Sequence, residues 1–403
     1  MKKRPFNIKS WLLLALLCAA ATWGNGQTQA ISLEEALEIA RKNYTGLESD
    51  RLAVEQQNKL AEAGLAQQPT QLFLTGEEFN FGDQSGVHSL NLQQNFYLPK
   101  AVNAQREYYR QGANVAQKQL ALTDRELERA VSQAYHQLQF AKQEQLLAAE
   151  NLALYNDFLV VTTAQMETGE SGKIPQLAAR SRLGQAQLEQ EHALEKYQIA
   201  LSLFNQWLRT NAQFDVEGEL PFDQGIMADS IQPDNPHMQL LIAQREQAQA
   251  NVATREAQLL PQINSGARLQ NAFGEFPLFG YQLGVNVPLF KKAYRGQIEA
   301  AELGVKVQEA VILTEQQRLE RTVSELSFRL GHQAHILEYL QNDLLPIVNE
   351  QSGANLQAYR EGEVEYLEYL DGLEQVVKVK QQILEALYNF NVLRVELSYW
   401  TGN

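Results

Sequence analysis

Cysteine is nearly absent: the 403 residues hold one, Cys18, close to the N-terminus. This excludes a disulfide framework, thiolate metal sites and thiol catalysis in everything that follows it. Long apolar runs are missing too. A spanning helix needs about 20 consecutive apolar residues. The longest stretch, Trp11 to Ala21, falls well short. Its flanks, with Lys2, Lys3, Arg4 and Lys9 before it and small residues after it, are those of a secretory signal peptide over 1–26, cleaved between Ala21 and Gln27. Leu17 stands where a lipoprotein signal requires a small residue before its cysteine, so no lipid anchor is expected. If the chain meets a membrane, it must do so without apolar helices. Positive charge is also scarce. The net charge of −14 becomes −18 once the four signal-peptide cations are removed. Nucleic-acid phosphates need Lys and Arg, so no nucleic-acid partner is expected.

What is present is a doubled plan. Pro69 and Pro261 each close a helical stretch, and Pro99 and Pro288 each open the next. Leu127-Glu128-Arg129 recurs as Leu319-Glu320-Arg321, Gly169-Glu170 as Gly362-Glu363, and Trp207 as Trp400. The offsets lie between 189 and 193 residues. Such a period is read as two structural repeats, 31–215 and 233–403, joined by a Gly- and Pro-containing linker at 216–232. Each repeat reads helix, strand, strand, long helix, turn, helix. Ser32 with Glu35 forms a capping-box signature at the first helix, which is expected to run to about Ala66. Leu127, Val131, Ala134, Leu138 and Ala141 form a coiled-coil seam in a helix expected from Pro99 to about Glu167, roughly 100 Å long. Leu319, Val323, Leu326 and Leu330 repeat it. Pro346 is expected to kink or break the second long helix.

Four short strands are expected at about 71–81, 87–97, 262–272 and 280–288. His88, Leu90, Leu92 and Phe96 alternate with Ser89, Asn91, Gln93 and Asn95; Tyr281, Leu283, Val285 and Val287 alternate with Gln282, Gly284 and Asn286. One face is apolar and the other polar but mostly uncharged, which suits lipid on one side and water on the other. Four strands cannot close a barrel, and open edges are not tolerated in lipid. The resulting expectation is mainly α with a small membrane β-barrel: three identical chains pooling twelve strands, continued by an α-helical tunnel.

Ile31-Ser32-Leu33-Glu34-Glu35-Ala36-Leu37, Asn235-Pro236 through Leu260-Pro261-Gln262, Val287-Pro288-Leu289-Phe290 and Tyr359-Arg360-Glu361-Gly362-Glu363 together resemble TolC-family outer-membrane factors, in order, over nearly the whole mature chain. Compactness and the Leu344-Leu345-Pro346 break resemble the heavy-metal cation efflux branch. The resemblance implies a homotrimer in outer-membrane lipid with a periplasmic extension, docking to a periplasmic adaptor and an inner-membrane RND-type pump. It implies a passive efflux conduit, not an enzyme, without cofactor. By the same resemblance, Glu365, Glu368 and Asp371 line the tunnel's narrow periplasmic aperture, and the tip turns Thr168, Gly169, Glu170, Ser171, Gly172 and Arg360, Glu361, Gly362, Glu363 are adaptor docking sites. The three acids recur every third residue, which keeps them near one helix face. Two alternatives stand beside this reading: a periplasmic coiled-coil adaptor or tether, and a conduit for type I protein secretion. His332 and His335, three apart, could share a metal, but no other ligand cluster lies in sequence reach. No phosphate loop, nucleophile elbow or HExxH motif is present, and no metal site is expected.

Overall fold

A computed structural model describes residues 29–77, 86–223, 235–272 and 274–402. The expected signal peptide, the end of the first strand and most of the linker lie outside them. Strand β1 (Gln29–Ile31) leads into helices α1 (Leu33–Asn43) and α2 (Thr45–Ala63). Strands β2 (Gln71–Glu77) and β3 (Val87–Phe96) precede the long α3 (Pro99–Thr168), then α4 (Lys173–Leu208) and β4 (Phe214–Val216). After them come α5 (Pro236–Ala257), β5 (Gln262–Ala272), β6 (Glu275–Asn286), α6 (Lys292–Tyr339), α7 (Leu345–Arg360) and α8 (Tyr366–Thr401). Ser32 caps α1 as its sequence indicates: Glu35 N–H donates to its hydroxyl at 3.2 Å, and the Glu35 carboxylate accepts from Ser32 N–H at 3.0 Å. The single helix expected to reach Ala66 is instead interrupted at Tyr44, whose backbone is extended. There the Tyr44 ring lies 6.4 Å from Trp207 and under the Arg209 guanidinium, while Asn43 donates to Leu208 C=O. Packing against the end of α4 overrides local helix propensity.

The helices and strands assemble into two compact units, each drawing on both halves of the sequence. In the first, residues 29–44, 126–223 and 324–399, β1 and β4 pair in parallel. Tyr135 Oη on α3 donates to Ile31 C=O at 3.0 Å, and Gln139 donates to Glu217 C=O at 2.9 Å. Lys142 Nζ meets Asp215 at 2.9 Å, and Tyr197 Oη donates to the same carboxylate; burial, helped by that negative charge, pushes the phenol up to about 12. The seam residues Leu127, Val131, Leu138, Ala141 and Leu330 are buried. At Pro346 the α-helix is interrupted locally, as its sequence indicates. A single π-helical turn, Leu340–Leu344, precedes it, with Leu345 N–H donating to Leu340 C=O. The chain stays helical through the site, but the regular α pattern gives way there to one wider turn.

The second unit, residues 45–77, 86–125, 235–272, 274–323 and 400–402, holds the sheet. Its order is β2-β3-β5-β6, antiparallel throughout. This overturns the expected closed β-barrel continued by a helical tunnel. The described residues form helices, the β1–β4 pair and one open four-stranded sheet with β2 and β6 as its edges. Closure needs the last strand to hydrogen-bond to the first, and four strands are half the smallest membrane barrel. Nor is any helix among the described residues long and apolar enough to cross a membrane. In the same unit, Asn235 caps α5: its Oδ1 accepts from His237 N–H and Met238 N–H, and its Nδ2 donates to Trp400 C=O at 2.9 Å. Arg318 bonds both oxygens of Glu315 and keeps that carboxylate below the usual range, and His237 Nε2 reaches its Oε1 at 2.8 Å.

Two outcomes follow from these contacts. Asn235→Ala removes a buried cap with three bonds and should cost about 2 kcal/mol. Ser32→Ala, at an exposed cap, should cost about 1 kcal/mol; thermal unfolding in detergent should rank them so. His136 is buried on α3, and desolvation lowers its pKa from 6.5. Between the two values the unfolded state binds more protons, so stability falls as pH drops through 6.5 toward the folded value. Replacing His136 by Gln should flatten the dependence of the urea midpoint on pH below neutrality.

Candidate functional site

Two helix hairpins come together at one end of the first unit. At the first tip, Gly169 has φ +77° and its N–H bonds to Met166 C=O, while Ser171 N–H reaches back to Gln165 C=O. Thr168 Oγ1 donates to Ala164 and Gln165 carbonyls, ending α3. At the second, Gly362 has φ +76°; its N–H bonds to Tyr359 C=O and Glu363 N–H bonds to Ala358 C=O. That pair of bonds is a Schellman motif, which consumes the last free carbonyls of α7. Thr168, Gly169, Glu170, Gly172, Arg360, Glu361, Gly362 and Glu363 are exposed and Ser171 is half-buried. The hairpins are tied by Tyr359 Oη donating to Gln165 Oε1 at 2.5 Å.

Beneath the tips lies an aromatic cluster that sequence reasoning did not single out. Tyr359 and Tyr369 stack at 5.4 Å with an 11° interplanar angle, and Phe158 meets Tyr369 edge-on at 5.4 Å. Burial raises both phenol pKa values, so the rings stay neutral. Arg182 on α4 pairs with Glu374 on α8 at 2.6 Å. The available signal was Tyr359 and Tyr369 flanking the second tip ten residues apart, but their stacking depends on the hairpin closing.

Glu365, Glu368 and Asp371 are all exposed, while Tyr369 and Leu370 between them and Leu373 after them are buried. Glu365 C=O accepts from Glu368 N–H at 3.1 Å, so the trio begins at the start of α8. Carboxylates there are favoured by the helix dipole, by about 0.3–1 kcal/mol each. Asn355 donates to Glu368 C=O, fixing α7 against α8 just behind the tip. His332 and His335 are both exposed, and the described residues contain no group of three or more acidic, histidine or cysteine residues able to hold a metal.

In the second unit the sheet has two unlike faces. Cross-strand rows Leu72, Leu92, Ala267, Tyr281 and Leu74, Leu90, Leu269, Phe279 build one face. Leu74 is 80 % exposed, Phe279 82 % and Tyr281 88 %. A contiguous exposed apolar face of this kind marks contact with lipid or another apolar surface. The opposite face is polar and bonded to itself. Thr75 and Ser89 hydroxyls meet at 2.6 Å, and Asn91 donates to both. Asn264 donates to Asn95 at 2.5 Å, Asn95 to Gln68 at 2.6 Å, and Gln282 to Asn264 at 3.3 Å. The alternation of these amides was readable in the strands. Gln68, which precedes Pro69 and the strand, joins them only in three dimensions.

Residues 228–403 match the family described as Outer membrane efflux protein. No curated relative matches the chain. Among solved structures, it is similar to CusC, crystallised in states accompanying folding and transmembrane channel formation: TM-score 0.76, 16 % identity, 93 % of each chain covered. The outer membrane protein VceC of Vibrio cholerae gives TM-score 0.75 and 14 % identity, covering 92 % of this chain and 96 % of that one. The open-state MtrE outer membrane channel of Neisseria gonorrhoeae gives 0.72 and 16 %, over 92 % and 89 %. The chain therefore has the fold of these outer-membrane channels.

The tip glycines differ in a way that can be measured. A Cβ at Gly362 or Gly172 would meet nothing within 4 Å. Gly362 has φ +76° and Gly172 has φ −81°. Gly362→Ala should therefore destabilise the hairpin by about 1 kcal/mol through backbone strain alone, and Gly172→Ala, which only replaces the N-cap of α4 with a poorer one, should cost less, about 0.5 kcal/mol. Urea unfolding of both variants checks this.

Proposed function

We propose, on the premise that residues 228–403 belong to the outer membrane efflux protein family and that the whole chain shares the channel fold, that the protein is the outer-membrane component of a tripartite efflux system. It works as a passive conduit extending into the periplasm. The observation that carries this reading is the two-faced sheet: an exposed apolar surface backed by a self-bonded, almost uncharged polar one. Lipid suits the first and moving water the second.

The chain is two copies of one plan, 31–215 and 233–403, acting as a homotrimer. The exposed tips at Thr168–Gly172 and Arg360–Glu363 dock a periplasmic adaptor coupled to an inner-membrane RND-type pump. Positive-φ glycines at matching places in the two hairpins support their common role. Glu365, Glu368 and Asp371 form the periplasmic aperture. Their exposure on one helix, just behind the tips, supports it. Crowded carboxylates attract cations, so the cargo is small solutes with cationic ones favoured, heavy-metal cations among them.

The mature chain should fractionate with outer membranes and need detergent to stay dispersed. Reconstituted in a planar bilayer, it should conduct. Neutralising Glu368 and Asp371 together (E368Q/D371N) should lower cation selectivity and weaken block by divalent cations. A chain that is water-soluble and monomeric without detergent would sink the channel reading; unchanged selectivity in the double variant would sink the aperture assignment alone.

A further inference from the structure

The polar face of the sheet carries one cation. Among the described strand residues, Arg268 is the only Lys or Arg. Its row across the sheet is Phe73, Asn91, Arg268, Gly280. Gly280 leaves a slot that the arginine fills: a Cβ there would lie 2.8 Å from Arg268 Nε and 2.9 Å from its Cγ. The side chain thus lies across the neighbouring strand at its glycine. Asn91, Gln93 and Gln282 line the same concavity, about 510 Å³ in volume. Arg268 is exposed, and no carboxylate pairs with it among the described residues. The strand acids Glu77 and Glu275 sit in the row of Val87 and Ala272 at the far end of the sheet. That row is four residues away, about 14 Å along the strands. This exceeds the Debye length of about 8 Å at physiological ionic strength, so their charge does not cancel the guanidinium's.

We infer that Arg268, laid across Gly280, is a selectivity-determining residue of the conduit: an anion-attracting point on the water-facing side of the sheet. The inference rests on the channel reading. A guanidinium is charged at every working pH and offers a planar fork of donors to carboxylate or phosphate groups. Its neighbours are amides, which can donate to the same oxygens without repelling them. An organic acid or a phosphorylated solute would therefore be held briefly here, whereas a bare cation would be slowed. Its sign is opposite to that of the exposed carboxylates at the start of α8. A solute carrying both a cation and an anion meets a favourable charge at each, so zwitterionic or amphoteric solutes are carried alongside the cations that the carboxylates favour.

The experiment compares wild-type, R268K, R268Q, R268E and G280A chains reconstituted in planar bilayers under a potassium chloride gradient. The cation-to-anion permeability ratio should rise about twofold in R268Q and further in R268E, and stay near wild type in R268K. G280A keeps the charge but fills the slot, so it should shift the ratio less than R268Q does. Citrate should block the wild type more strongly than R268Q. Wild-type unitary conductance in R268Q with an unchanged ratio and unchanged citrate block would overturn the inference while leaving the channel reading intact. If the wild-type chain forms no pores at all, both fall. R268K reports whether a variant's change comes from misfolding, since it conserves charge and stem length.

Discussion

The antiparallel pairing of β3 with β5 is the joint on which the sheet depends. Ten consecutive residue pairs, from Val87 with Ala272 to Phe96 with Ile263, link two hairpins separated by about 170 residues of chain. Each backbone bond contributes only about 1 kcal/mol net, but the alternative is a row of unbonded donors and acceptors on two more strand edges. The pairing also sets the faces. Because side chains alternate with period two, this register stacks Leu90 on Leu269 and Asn95 on Asn264. A slip of one residue would put amides among leucines. The separation of apolar and polar surfaces, and with it the proposed division between lipid and water, therefore rests on one strand pair.

The polar face shows how a wet surface is held still without charge. Amides and hydroxyls satisfy one another from Thr75 through Asn91 on one side, and from Gln68 through Asn264 to Gln282 on the other. Such a network orders its side chains without the strong fixed fields that ion pairs would impose on a passing solute. Against that neutral background a single guanidinium has a disproportionate effect, since the described strand acids lie more than a Debye length away. The helical unit is organised differently. There the long seam is apolar, and ion pairs such as Lys142 with Asp215 and Arg182 with Glu374 tie neighbouring elements together. The partners are partly exposed, so each pair adds orientation more than stability.

Local features were the most legible. The Ser32–Glu35 capping box, the buried seam through Leu127, Val131 and Leu138, and the glycine reversals at 169 and 362 all appear where spacing put them. Each depends on residues within one or two helical turns. Features that depend on distant partners were misread. The helix through Tyr44 looked continuous, and it breaks because Trp207 and Arg209 offer that ring a better place. The closed barrel was inferred from strand count and lipid compatibility; among the described residues the sheet is open, with β2 and β6 at its edges.

By itself, the sequence determined the helix-rich composition, the caps, the tip turns and the two-faced character of the strands, because each is set by residues within a few positions of one another. Only the tertiary structure decided which strands are neighbours, where the edges lie, that Tyr359 stacks on Tyr369, and that Arg268 lies across Gly280. Those facts join residues far apart in the chain, and their spacing in sequence carries no trace of the distance between them in space.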